Sequence, residues 1–130
     1  MKNNRKGSLL RSFGYAFEGI ATGIIKERNM KIHCLAVAAV VIAGTIVKLS
    51  AMEWCICLLL FALVISLELV NTAVEAVVDL VTEEKKPLAK IAKDTAAGAV
   101  LFSAIIAVIV GLIIFLPHLG QLSAMIQHIL

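Results

Sequence analysis

Three long apolar stretches, each punctuated by polar residues at particular places, set the organisation of this chain. The first runs from Ile32 to Leu49, bounded by Lys31 and Lys48 and containing Gly44. The turn over 48–53 is brief, so the next stretch must return antiparallel. That second stretch occupies 52–81; it begins with fourteen uncharged residues, Trp54 to Leu67, and then carries polar groups at regular intervals. The third, Thr95 to Leu116, holds 22 residues without a charge. Runs of about 20 apolar residues match the helix length needed to cross a hydrocarbon core of about 30 Å. Ahead of them, Leu9, Phe13, Phe17, Ile20 and Ile24 recur at spacings of three or four, with Arg11, Glu18 and Lys26 between. This pattern predicts an amphipathic helix over 8–28 lying in a membrane surface, rather than one packed on a soluble partner.

The remaining segments are polar or mixed. Residues 1–7 read as flexible. Residues 82–94, broken by Pro87, read as a charged loop. Residues 117–130 read as a tail that lies on the outer surface as a short interfacial helix, with His118 and His128 as surface residues rather than metal ligands. The expected fold is therefore all-α and integral to the membrane: one domain over 1–130, with an amino-terminal surface helix and transmembrane helices over 32–49, 52–81 and 95–116.

Composition agrees. The chain has 130 residues, of which 61% are hydrophobic, and its mean hydropathy is +0.99. Such values belong to membrane proteins rather than to soluble cores. A chain this short has difficulty enclosing a polar cavity alone, which predicts an oligomer with shared sites. Eleven of the twelve Lys and Arg lie in residues 1–31 or 82–94. Both regions are thus expected on the cytoplasmic side of the cell membrane, with the 48–53 turn and the carboxyl terminus outside. Basic residues that flank membrane segments, with one Trp and one Tyr for stacking, exclude a nucleic-acid binder. Cys34, Cys55 and Cys57 match no zinc or redox spacing and read as small apolar fillers. Residues 1–30 are basic but lack the continuous apolar stretch of a secretory leader.

The chemistry lies in the second stretch. At about 100° per residue, Glu68, Asn71, Glu75 and Asp79 share one helical face spanning roughly 80°. One reading is a helix emerging into water with its polar face solvated. Glu68 resists it, because it lies about 21 Å along the helix from Trp54. An ionisable group at that depth costs several kcal/mol and marks function by default. The Glu27, Arg28, Asn29, Lys31 knot and the Lys93-Asp94 pair converge on the same side. Carboxylates without imidazole or thiolate partners are hard-oxygen ligands suited to Mg²⁺, which takes one or two of them and completes its shell with water and phosphate. Neighbouring lysines suggest a nucleotide phosphate, and a carboxylate within the membrane can serve as base for a lipid hydroxyl. Against this, no Gly-rich phosphate loop is present: Gly14, Gly19 and Gly23 sit inside a helical pattern. A small ion-coupled transporter subunit, with Glu68 binding the coupling ion, remains open on these grounds. So does a non-catalytic regulator on the same scaffold.

Four segments in order narrow the choice. G-Y-A-F-E-G-I at 14–20, I-I-K-E-R-N-M-K-I-H at 24–33, E-L-V-N-T-A-V-E-A-V-V-D at 68–79 and A-K-D-T-A-A-G-A-V-L at 92–101 together resemble the small prokaryotic lipid kinases, the diacylglycerol kinase and undecaprenol kinase family. The resemblance covers roughly residues 8–117. It implies a homotrimer embedded among membrane lipids, with active sites shared between subunits, ATP as donor with Mg²⁺, and a long-chain lipid alcohol as acceptor. Carried over by position, Glu68 matches the family's general base, and Glu27 and Glu75 match the carboxylates that hold the metal against ATP. Tyr15, Glu84, Lys85, Lys86, Lys93 and Asp94 match positions around the nucleotide. Asn71 and Asp79 belong to the same polar network, and Ser12, Phe13 and Lys31 lie where the acceptor or surface helix meets the site. His33 and Lys31 stand where the Gram-negative enzymes have a carboxylate and an Arg. The segment E-R-N-M-K-I-H is similar instead to the Gram-positive branch, which favours undecaprenol; phosphorylation of diacylglycerol to phosphatidate is the alternative. His33 is either catalytic or, as is commoner for a histidine at an interface, the partner of a neighbouring carbonyl or carboxylate.

Overall fold

A computed structural model describes the backbone of residues 5–129 and the side chains of residues 8–120. Four helices follow one another: α1 (Arg5–Lys26), α2 (Arg28–Val47), α3 (Ala51–Val81) and α4 (Pro87–Ile129). No strand occurs among the described residues. α2, α3 and the 87–120 portion of α4 are each long and apolar enough to cross a membrane. Most large apolar side chains point outward, among them Leu35, Leu59 and Phe102, each at least 70% exposed. In water such a surface would be untenable; in a bilayer it is the solvent-facing side. The protein is thus a multi-pass, all-helical membrane protein.

The junctions explain the register of the helices. α1 and α2 meet at Glu27, whose backbone is extended (φ −87°, ψ 125°). Its N–H still bonds the Gly23 carbonyl, closing α1, and its own carbonyl accepts from Lys31 N–H, opening α2. Gly23 is required here by space, since a Cβ would stand 2.6 Å from Leu69 Cδ2 of α3. α2 ends on Lys48 in the left-handed region, φ 58°, with the Leu49 N–H bonded to the Gly44 carbonyl. A side chain on Gly44 would meet Leu49 and the Trp54 ring at 2.8–3.1 Å, so this turn too closes over a glycine. α3 opens with a capping box: Ser50 Oγ accepts from Glu53 N–H, and the Glu53 carboxylate accepts from Ser50 N–H. Each such bond satisfies an amide that the first helical turn cannot pair internally.

The expected spans at 32–49 and 52–81 correspond to α2 and α3, with α2 starting a turn earlier. The flexible stretch 1–7 is only partly described: residues 1–4 lie outside the described residues, and Arg5 begins α1. Two expectations need correction. The charged loop is confined to 82–86, because Pro87 starts α4 instead of breaking a helix. Proline suits the first helical position, where its missing N–H would have no partner, and Lys90 N–H already bonds the Lys86 carbonyl. Nor does the helix of the third span end at Leu116. α4 continues through Pro117 to Ile129, at the cost of one backbone hydrogen bond. Side chains beyond Gly120 lie outside the described residues.

α3 and α4 pack along the longest shared line, α2 lies chiefly on α3, and α1 touches α2 and α3. Leu49, Cys57 and Ile114 form a small buried cluster at one end, flanked by Trp54 and Phe115. Glu68, Glu75 and Asp79 of α3 lie towards the other.

Candidate active site

The polar stripe of α3 is where the helix departs from its apolar pattern, and the structure buries part of it. Glu68 is 2% exposed and Asn71 7%. Asn71 Nδ2 donates to Glu75 Oε1 at 3.0 Å, one helical turn along. Glu68 Oε2 and Asn71 Oδ1 are buried without any hydrogen-bond partner. An orphaned buried polar atom costs about 1–3 kcal/mol, so two in adjacent turns signal a site organised for a ligand. Glu27, Glu75 and His33 lie within electrostatic range of Glu68, which brings the helix junction and the α3 stripe together. Met30, fully buried on α2, packs near Gly23 beside this junction.

A second polar region surrounds the 82–86 loop. A cavity of about 620 Å³ opens there between the end of α3 and the start of α4. It is lined by Glu84, Lys85, Lys86, Lys93 and Asp94, all expected around a nucleotide, by Asp79 of the expected supporting network, and also by Lys90. Lys93 Nζ donates to Asp79 Oδ1 at 2.5 Å and ties α4 to α3. Lys90 pairs with Asp94 one turn along α4. Lys90 was missed in the sequence because 82–94 reads as loop; on a helix starting at Pro87, its i,i+4 relation to Asp94 would have placed it. Ser12, Phe13 and Tyr15 are exposed on α1; Ser12 Oγ bonds the Ser8 carbonyl of its own helix. Lys31 is likewise exposed on α2. The single chain does not draw these four into the cluster.

Comparison with known proteins decides the class. The family described as prokaryotic diacylglycerol kinase matches residues 14–115. The chain belongs to that family. It is 49% identical over 116 residues to the undecaprenol kinase of Bacillus subtilis, covering 89% of this chain and 94% of the relative. A diacylglycerol kinase of Synechocystis is 48% identical over 116 residues, or 88% of this chain and 66% of that protein. The diacylglycerol kinase of Escherichia coli is 31% identical over 122 residues, covering 92% of this chain and all of the relative. A prokaryotic diacylglycerol kinase family member is a membrane lipid kinase, which sets aside the ion-coupled transporter.

The carboxylates at this junction are hard-oxygen donors of the kind Mg²⁺ takes. Among the described residues, no group of three or more His, Cys, Asp or Glu is arranged to hold a metal alone. Glu27 and Glu75 instead offer two carboxylates at the edge of the buried cluster, the number Mg²⁺ takes when phosphate and water complete its shell.

Proposed function

We propose that this protein transfers the γ-phosphoryl group of ATP to undecaprenol, giving undecaprenyl phosphate. The observation that carries the reading is the Glu68 carboxylate, buried in a membrane helix with one oxygen unpartnered. It has the surroundings of a group that accepts a proton from a lipid hydroxyl as that hydroxyl attacks in line. Asn71 holds Glu75 through its amide, and its carbonyl oxygen is likewise buried without a partner. Glu27 and Glu75 would hold Mg²⁺, which when bound supplies positive charge against the phosphate oxygens. Lys93, already oriented by Asp79, would lie beside the transferred group, with Asp94, Glu84, Lys85 and Lys86 around the rest of the nucleotide. Positioning and electrostatics do most of the work in such transfers.

The exposed positions of Ser12, Phe13, Tyr15 and Lys31, together with the apolar surface on every spanning helix, support assembly as a homotrimer in which a neighbour completes each site. The basic amino-terminal region and the 82–86 loop would face the cytoplasm, where ATP is, with the 48–53 turn and carboxyl terminus outside. Diacylglycerol is the second acceptor to consider, because the Synechocystis and Escherichia coli relatives carry that name.

Transfer of labelled γ-phosphate to undecaprenol and to diacylglycerol, presented in the same mixed micelles, tests the reading. Preference for undecaprenol is expected. Preference for diacylglycerol would keep the mechanism and replace the acceptor, and no transfer to either by folded protein would remove the proposal.

A further inference from the structure

One face of α3 changes character part-way along. Cys57, Phe61 and Val64 recur at spacings of four and three, and Glu68 takes the next place in that series, so all four share a face of the helix. The three apolar members line a groove of about 400 Å³ between α2, α3 and α4. Its last wall residues on α3, Val64 and Ile65, are one turn short of Glu68. Apart from the Cys57 thiol, the one polar side chain in the walls is His33 of α2, which lies within electrostatic range of the Glu68 carboxylate. The apolar groove and the acidic stripe are thus consecutive parts of one helix face, and His33 stands where they meet.

Two contacts fix how α4 lies against α3. At one end Lys93 Nζ bonds Asp79 Oδ1; at the other His118 Nε2 lies 2.9 Å from Glu53 Oε1. The antiparallel register between them puts Ala104 about level with Glu68 and Gly111 about level with Phe61. Phe61 is about 10 Å along the helix axis from Glu68, and Cys57 about 16 Å. Spread over the length of its walls, the groove has a cross-section of roughly 30 Å², whereas an α-helix with its side chains needs roughly 80 Å² or more. A single hydrocarbon chain fits that width and a neighbouring helix does not. Ala36, Ala104, Ala107 and Gly111, all small, make the room.

We propose that this groove seats the hydrocarbon chain of the alcohol acceptor, whose hydroxyl end passes His33 to reach Glu68. The proposal rests on Glu68 as the base and adds the path by which the hydroxyl arrives, whichever lipid alcohol is phosphorylated. No Asp, Glu, Lys or Arg lines the groove, so a polar headgroup would find no partner along it. A lipid tail gains no hydrophobic free energy by exchanging the bilayer for these walls, because both are equally apolar. What the groove supplies is direction. A chain held lengthwise carries its terminal oxygen to the end where a carboxylate oxygen is buried without a partner, and holding reacting groups in place is a large part of catalysis.

Gly111 gives the test. A Cβ there would meet nothing within 4 Å beyond its own helix, so Gly111→Leu fills the groove without displacing α4, and leucine is also the better helix former. In bilayer nanodiscs, kcat/KM for the lipid alcohol is expected to fall about tenfold while KM for ATP stays within about twofold. Gly111→Ala adds one methyl to open space and is expected to match the parent in both within about twofold. Should Gly111→Leu fail to fold, Ala107→Leu on the same wall carries the test. A second readout needs no turnover: a polyprenol with a photoactivatable diazirine on its third isoprene unit, and a diacylglycerol with one in mid-chain, are crosslinked to the protein and the sites mapped. Label around Phe61 and Gly111, lost in Gly111→Leu, is expected. Label confined to outward residues such as Phe102, or an unchanged lipid kcat/KM in folded Gly111→Leu, would overturn the proposal. So would a fall that accompanies dissociation of the oligomer by light scattering, which would give the groove to a second copy. If the parent transferred phosphate to neither lipid, the proposed function would fall by itself, and the photolabel would still decide the groove.

Discussion

The two ends of the α3–α4 pair treat their acids in opposite ways. Glu53, still a quarter exposed, has both carboxylate oxygens engaged, by Ser50 and by His118. Glu68, close to the middle of α3, is almost wholly buried and leaves an oxygen without a partner. If folding alone were served, the deeper acid would be the better satisfied, because desolvation costs more there. Under the proposed function, the reversal separates an end that holds the bundle together from an end kept open for chemistry. Stability is spent at the second and recovered at the first, a division common around active sites.

The sharpest way to break this contrast is Glu68→Gln. Under the proposed role it lowers the turnover number about a thousandfold while nucleotide binding persists. Because it neutralises a buried carboxylate with an unpartnered oxygen, it should also leave the melting temperature unchanged or raise it. Assayed together, phosphate transfer and thermal unfolding distinguish a base from a structural acid: retained turnover would remove Glu68 from the chemistry. Next in size is Glu75→Ala, expected to weaken Mg²⁺-ATP binding about ten- to a hundredfold, as titration calorimetry would read; an unaltered affinity would take Glu75 out of the metal site. Asp79→Asn releases Lys93. The pair is partly exposed, so stability should change by less than about 1 kcal/mol, while KM for ATP rises a few-fold and the KM for the lipid stays put. A matching rise in both would show that the pair orders the helices rather than the nucleotide. The smallest effect belongs to the far end. Lys48→Gly relieves a non-glycine residue at φ 58° and should stabilise by about 1 kcal/mol, without altering transfer.

How far the chain could be read in advance follows the range of the interactions. Local periodicity was enough for α3: the spacing of Glu68, Asn71, Glu75 and Asp79 put them on one face, and Asn71 bonds Glu75 there. The prolines were harder, because their meaning depends on position within a helix. Pro87 read as a breaker yet begins α4, and Pro117 read as an end yet is crossed. That single misreading of Pro87 hid the Lys90–Asp94 pair. His118, taken for a surface residue, meets Glu53 because two helices happen to be antiparallel neighbours; no pattern within either helix announces it. Ser12, Phe13 and Tyr15 resemble site residues by motif, but a single chain leaves them exposed. Under the proposed trimer, a neighbouring copy would supply their partners.

Glu27 makes a different demand on the protein. It is the joint between α1 and α2 and also bears one of the two carboxylates proposed for the metal. The last hydrogen bond of one helix and the first of the next both pass through its backbone. Its side chain is therefore aimed by the angle at which the two helices meet, much as a lamp is aimed by its elbow. Substitutions at Lys26 or Arg28 that let α1 run straight into α2 would preserve every acid in the sequence and still point this one elsewhere.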